Sequence, residues 1–214
     1  MDNVKPLPDL SAEEQRVLGS LIEKSRTTPD YYPMTLNSLT AACNQKSSRN
    51  PVVNYDEETI TLTLNQLKIK GLISTATGGS SRATKYKHNL AIVYPLVPSE
   101  LAIICLLLLR GPLTPGEINS NSGRLYEFES IEEVLAQLQK LSDEAPAFVK
   151  QLAKKAGQKE ARFVHLLGEQ VEINAETDTD TAIPTDTTAL ESRIEKLELE
   201  VEELKELVNL LMDK

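Results

Sequence analysis

Two histidines, two cysteines and a scatter of lysines and arginines are the residues of this chain whose types could do chemistry. His88 and His165 have no cysteine or carboxylate at metal-ligand spacing, and they fall at equivalent places in two similar segments, so structural repetition explains both. Cys43 and Cys105 are too few for a disulfide framework or a cysteine zinc site; each lies in an apolar helical stretch and reads as a buried free thiol. No serine stands in a nucleophile-elbow context. Gly78-Gly79 lacks the strand–turn–helix setting of a phosphate loop. Glu57-Glu58 and Glu132-Glu133 fall in first helical turns, where the helix dipole favours carboxylates. These observations predict a protein that is not an enzyme and has no cofactor or metal.

What remains is a basic surface. Lys46 and Arg49 precede a third helix, Lys68 and Lys70 close it, and Arg82, Lys85 and Lys87 belong to a hairpin after it. A second hairpin adds Lys150, Lys154, Lys155, Lys159 and Arg162. Cations placed so are where a winged-helix protein touches phosphates, its third helix entering the major groove and its wing tracking the backbone. Against that stand Asp56-Glu57-Glu58 and Glu129, Glu132 and Glu133, carboxylates at the starts of the two would-be recognition helices. The expected role is therefore that of a DNA-binding, transcription-regulator-like protein or, alternatively, of a protein–protein adaptor.

The elements that must position these groups are written twice. Ser11 with Glu14 opens a helix with Val17, Leu18, Leu21 and Ile22 on one face; Thr35 caps a short helix; Asp56 caps a third, buried through Ile60, Leu64 and Leu67 and ended by Gly71. Leu72 to Thr75 and Lys85 to His88 read as strands around a Gly-Gly-Ser-Ser tip. In the second copy Ser99 is expected to cap the apolar run Leu101 to Leu109, and Leu113-Thr114-Pro115 echoes Met34-Thr35-Leu36. Ser130 and Glu133 are expected to form a capping box. Leu135-Ala136-Gln137-Leu138 is aligned with Leu64-Asn65-Gln66-Leu67, and Ile131 with Ile60. Strands follow at Phe148 to Leu152 and Arg162 to Leu167. This order predicts a mainly α protein with small β-hairpins (α+β): winged-helix domain 1 at residues 1–97 and winged-helix domain 2 at 98–169.

Beyond them, 170–187 is rich in Thr and Asp and reads as a disordered linker. Residues 188–214 read as a coiled-coil helix, with Leu190, Ile194, Leu197, Val201, Leu204, Val208 and Leu211 alternating at spacings of four and three. β-Branched residues at the a positions with leucine at d favour a parallel two-stranded coil, and Arg193 with Glu198 and Glu200 with Lys205 match across its rims. A homodimer through this segment is expected.

The net charge of −9 is unevenly spread: residues 1–97 carry +2, 98–169 carry −2 and 170–214 carry −9. The excess acidity thus belongs to the tail, and net charge neither supports nor excludes nucleic acid. No basic-then-apolar leader opens the chain, and Leu101 to Leu109 is far shorter than the ~20 residues a bilayer needs. A cytoplasmic protein with no membrane partner is expected.

Leu18-Gly19-Ser20-Leu21-Ile22-Glu23-Lys24, Thr28-Pro29-Asp30-Tyr31-Tyr32-Pro33-Met34-Thr35-Leu36-Asn37 and Ala42-Cys43-Asn44-Gln45-Lys46-Ser47-Ser48-Arg49-Asn50-Pro51 resemble the YceH-like family of uncharacterised bacterial proteins. The resemblance spans Leu10 to about Leu167 and implies two winged-helix domains in a bacterial cytosolic protein, with no assigned activity. Asn50 stands where the family pattern leads us to expect Asp. The chain also resembles the tandem winged-helix subunits of chromosome-condensation complexes, which bind protein helices. The donor-rich loop Asn44 to Asn50 reads either as a functional surface or as a hydrogen-bonded structural turn.

Overall fold

The computed structural model describes residues 5–76, 83–154 and 160–168, all within one compact unit, Met1–Glu169. Its first helix, α1 (Ala12–Thr27), starts at a reciprocal capping box: the Ser11 hydroxyl accepts from Glu14 N–H, and the Glu14 carboxylate accepts from Ser11 N–H. Val17, Leu18, Leu21 and Ile22 are buried on its inner face. A 3₁₀ turn at Pro29–Tyr31 leads to β1 (Met34–Thr35) and α2 (Leu36–Cys43), which Thr35 caps through Ser38 N–H. Asp56 caps α3 (Glu57–Ile69), and Gly71, at φ +74°, turns the chain into β2 (Ile73–Ala76). With β3 (Lys85–His88) these strands form an antiparallel sheet in the order β1-β3-β2.

After a single turn, α4 (Leu90–Val93), the order recurs. α5 (Pro98–Arg110) is capped differently from expectation: Ser99 lies inside the helix, and the Glu100 carboxylate accepts from Val97 N–H at 2.9 Å, half of a capping box. α6 (Pro115–Ser122) begins at a full box between Thr114 and Glu117. α7 (Ile131–Asp143) is capped by the Ser130 hydroxyl; the Glu133 carboxylate reaches Glu129 N–H instead of Ser130 N–H, so that box too is half formed. β4 (Val149–Gln151) and β5 (Phe163–His165) pair antiparallel, and Leu113 bridges Phe163, reducing the third strand of the first sheet to one residue.

One alignment between the copies is corrected. α3 and α7 are each 13 residues long, and Asp56 and Ser130 are their caps. Counted from the caps, buried Ile60, Leu64 and Leu67 correspond to buried Val134, Leu138 and Leu141. Ile131 and Leu135 are 43% and 44% exposed, so the Leu-x-Gln-Leu match is displaced by three residues, nearly one helical turn.

One continuous core joins the copies. α5 is its centre, with Leu101 to Leu109 all buried, and burying each leucine or isoleucine of that run contributes about 1.5–3 kcal/mol. Gly19 lets α1 approach: a Cβ there would stand 2.9 Å from Leu109 Cγ, and Cys105 Sγ donates to Gly19 O. Both cysteines are buried free thiols. No helix among the described residues is long and apolar enough to cross a membrane.

Candidate functional site

The loop joining α2 to α3 is held by its own side chains. Asn44 clamps Tyr55 from both sides, Nδ2 donating to Tyr55 O at 2.7 Å and Oδ1 accepting from Tyr55 N–H at 2.8 Å. Arg49, expected as a surface contact, is instead a buried cross-link. Its guanidinium donates to both Glu23 oxygens at 3.0 and 2.7 Å, and to Ala42 O and Ser48 O. Leaving it solvated would strip those buried acceptors of their donors. Burial alone would raise the Glu23 carboxyl, but the hydrogen bonds and charge of Arg49, with Lys24 behind them, hold it below the usual range. Asn50 N–H donates to Leu109 O at 2.9 Å, tying the loop to the end of α5. Asn44, Arg49 and Asn50 therefore serve structure, while Lys46, Ser47 and Ser48 are exposed.

The other expected contacts divide. Lys68 and Lys87 are exposed, as is Lys150 on β4, and Lys85 is half-buried. Lys70 is engaged, its Nζ donating to Asp9 O and to Glu14 at 2.6 Å. Lys154 is exposed and has an interaction of its own. Arg162 forms a bidentate pair with Glu117 at 2.9 and 3.0 Å. Arg82, Lys155 and Lys159 lie outside the described residues, as do the linker 170–187 and the seam Leu190, Ile194, Leu197, Val201, Leu204, Val208 and Leu211.

His88 and His165 end the second strand of their hairpins, paired with Ile73 and Val149. Burial pushes both imidazoles down to about 4, with Arg26 adding to the effect at His88. His165 Nδ1 accepts from Leu167 N–H, which requires the neutral ring. Among the described residues no three His, Cys, Asp or Glu side chains gather to hold a metal.

Sequence reasoning missed the surface that α3 and α7 present. Leu62 and Ile69 on α3 are 61% and 79% exposed, with exposed Glu57 and Glu58 in the first turn, Asn65 between them in sequence and Lys68 beside Ile69. On α7 the outward residues are Ile131, Glu132, Leu135, Ala136 and Gln139, with Lys140 drawn to Glu100 and Glu144. A groove of about 370 Å³ runs beside α3, lined by Ser11, Glu13, Thr59, Leu62, Gln66 and Lys70 among others. The signal was present: Leu62 and Ile69 are seven apart on the face opposite Ile60 and Leu67.

Fold and surface together define a mixed α+β protein in which a helix–helix–hairpin order is written twice around one core. Residues 10–158 match the family model described as "Protein of unknown function, DUF480". The chain is 43% identical over 218 residues to the UPF0502 protein of Shewanella woodyi, covering 96% of this chain and 100% of that one. It is 45% identical over 185 residues to the UPF0502 protein of Opitutus terrae (86% and 80% covered) and 44% over 196 residues to that of Solibacter usitatus (92% and 93%). The chain belongs to this family, as the resemblance carried by Leu18 to Pro51 implied.

Proposed function

We propose that this protein is a non-enzymatic cytoplasmic binding protein, built of two winged-helix modules, whose partner is a protein. The order of elements supports the winged-helix reading: helix, short helix, 13-residue helix and antiparallel hairpin, twice, with a strand residue before each short helix. The observation that carries the partner is the pair of outward helix faces, which expose Leu62 and Ile69 on α3 and Ile131 and Leu135 on α7, with carboxylates at both helix starts and Lys68 beside Ile69. Exposed aliphatic residues at helical spacing suit the apolar side of an amphipathic segment, and the acid at the helix starts suits a basic end on it. A parallel dimer through residues 190–211 would present these faces in duplicate and raise the avidity for a repeated partner.

Changing Leu62 and Leu135 to Asp leaves the core untouched and is expected to abolish recovery of a nuclease-resistant partner from bacterial lysate. Recovery undiminished by that change removes the reading. A second reading, DNA binding, is favoured by exposed Lys87 and Lys150 on the two hairpins. It requires salt-sensitive duplex binding that Lys87→Ala with Lys150→Ala weakens.

A further inference from the structure

A second cavity, of about 180 Å³, lies where the last turn of α1, the Asn44–Pro51 loop, the end of α5 and the end of α6 meet. Its polar lining includes Lys24, Gln45, Ser47, Ser48, Arg110 and Arg124. In a protein of net charge −9, its one carboxylate, Glu23, is already satisfied from below by the buried Arg49 and from the side by Lys24 at 3.1 Å. The surplus of charge facing the cavity is therefore positive.

The cations are not all explained by the fold. Lys24 and Arg110 sit in last helical turns, where the dipole favours them, and Arg110 also donates to Ser48 Oγ at 2.9 Å. Arg124 lies beyond α6, exposed, and its guanidinium has no hydrogen-bond or ion-pair partner among the described residues. Ser48 holds a left-handed backbone, φ 59°, which costs a non-glycine residue free energy and places its hydroxyl at the cavity rim. Leu106, Leu109 and Leu125 supply an apolar wall.

We infer that this cavity binds the phosphate group of a phosphorylated ligand. Two guanidiniums can take a tetrahedral oxyanion by paired N–H donors, with an ammonium and serine hydroxyls completing the shell. This site is independent of the α3 and α7 faces.

The test is calorimetric titration of the full chain at constant ionic strength with inorganic phosphate, with AMP and with a short single-stranded oligonucleotide. Binding of phosphate or AMP is expected, weakened about tenfold or more by Arg124→Ala and less by Arg124→Lys, the loss a charged hydrogen bond implies. Lys87→Ala should leave it unchanged. Arg124-dependent binding of the oligonucleotide alone supports the same site and assigns its phosphate to nucleic acid. No binding of any probe, or binding that Arg124→Ala leaves intact, overturns the inference. Unchanged melting of the unliganded variant shows that the loss is not unfolding, and the Leu62→Asp/Leu135→Asp protein should bind the probes normally.

Discussion

Each copy contains a bidentate Arg–Glu pair, and water separates their consequences. In the first, Arg49 and Glu23 meet with the arginine side chain wholly buried; in the second, Arg162 and Glu117 meet with 38% and 39% of their side chains exposed. The geometry is nearly the same, so the difference lies in what happens when one partner is lost. A buried guanidinium without its carboxylate cannot fall back on solvent, while an exposed one can. The first helices differ in degree: α1 buries Glu14, Arg16 and Ser20 along its length, whereas α5 confines its buried polar residues to Ser99 and Glu100 in the first turn and buries an unbroken apolar run after them. Both copies use polar cross-links, and the second also supplies the hydrophobic centre.

The largest effect should come from those pairs. Glu23→Gln is expected to cost about 3–5 kcal/mol, since Arg49 remains buried without its counter-charge. Glu117→Gln should cost about 1 kcal/mol or less. Equal losses in denaturant melts would mean that the two environments do not differ as described.

The register of α7 gives the next effect. Leu138→Ala, opposite Leu64 in the cap-based alignment, should lose about 2–5 kcal/mol through the cavity it leaves. Leu135→Ala, on the outward face, should stay within about 0.5 kcal/mol. A costly Leu135→Ala change would restore the alignment read from Leu-x-Gln-Leu.

The histidines should differ least, being equivalent in both hairpins. Both are held neutral, with folded-state values of about 4, below the ordinary 6.5. Their contribution is therefore complete above pH ~6.5 and is lost as pH falls toward 4, because the unfolded chain takes up protons first. One unit below 6.5 the loss is about 1.4 kcal/mol for the well-buried His165 and less for the half-buried His88. Stability that is flat from pH 7 to 5.5 would show that the rings are not held neutral, and His88→Asn with His165→Asn should flatten a sloping profile.

Most of the architecture was legible because local signals and burial agreed. Ser11, Thr35, Asp56 and Ser130 cap helices as their types and spacing indicated, and the strand pairs ending at His88 and His165 fall within a residue or two of expectation. What misled was similarity of residues without a fixed origin. Leu135-Ala136-Gln137-Leu138 looks like Leu64-Asn65-Gln66-Leu67, yet the cap sets the face of a helix, and the cap differs by three positions. Arg49 misled for another reason: charge type alone does not tell a solvated arginine from one whose partner, Glu23, lies 26 positions earlier. The exposed Leu62 and Ile69 were hidden because α3 is apolar on two faces, and only packing shows which one is covered.

The proposal that α3 and α7 hold a protein is tested most directly by site-specific photocrosslinking in living bacteria. A photoreactive residue at position 62 or 135 should give a discrete, nuclease-resistant adduct, and the same residue at exposed position 150 should not. Adducts that vanish with nuclease, or that form from position 150 and not from 62 or 135, would contradict the account and move the binding surface to the hairpins.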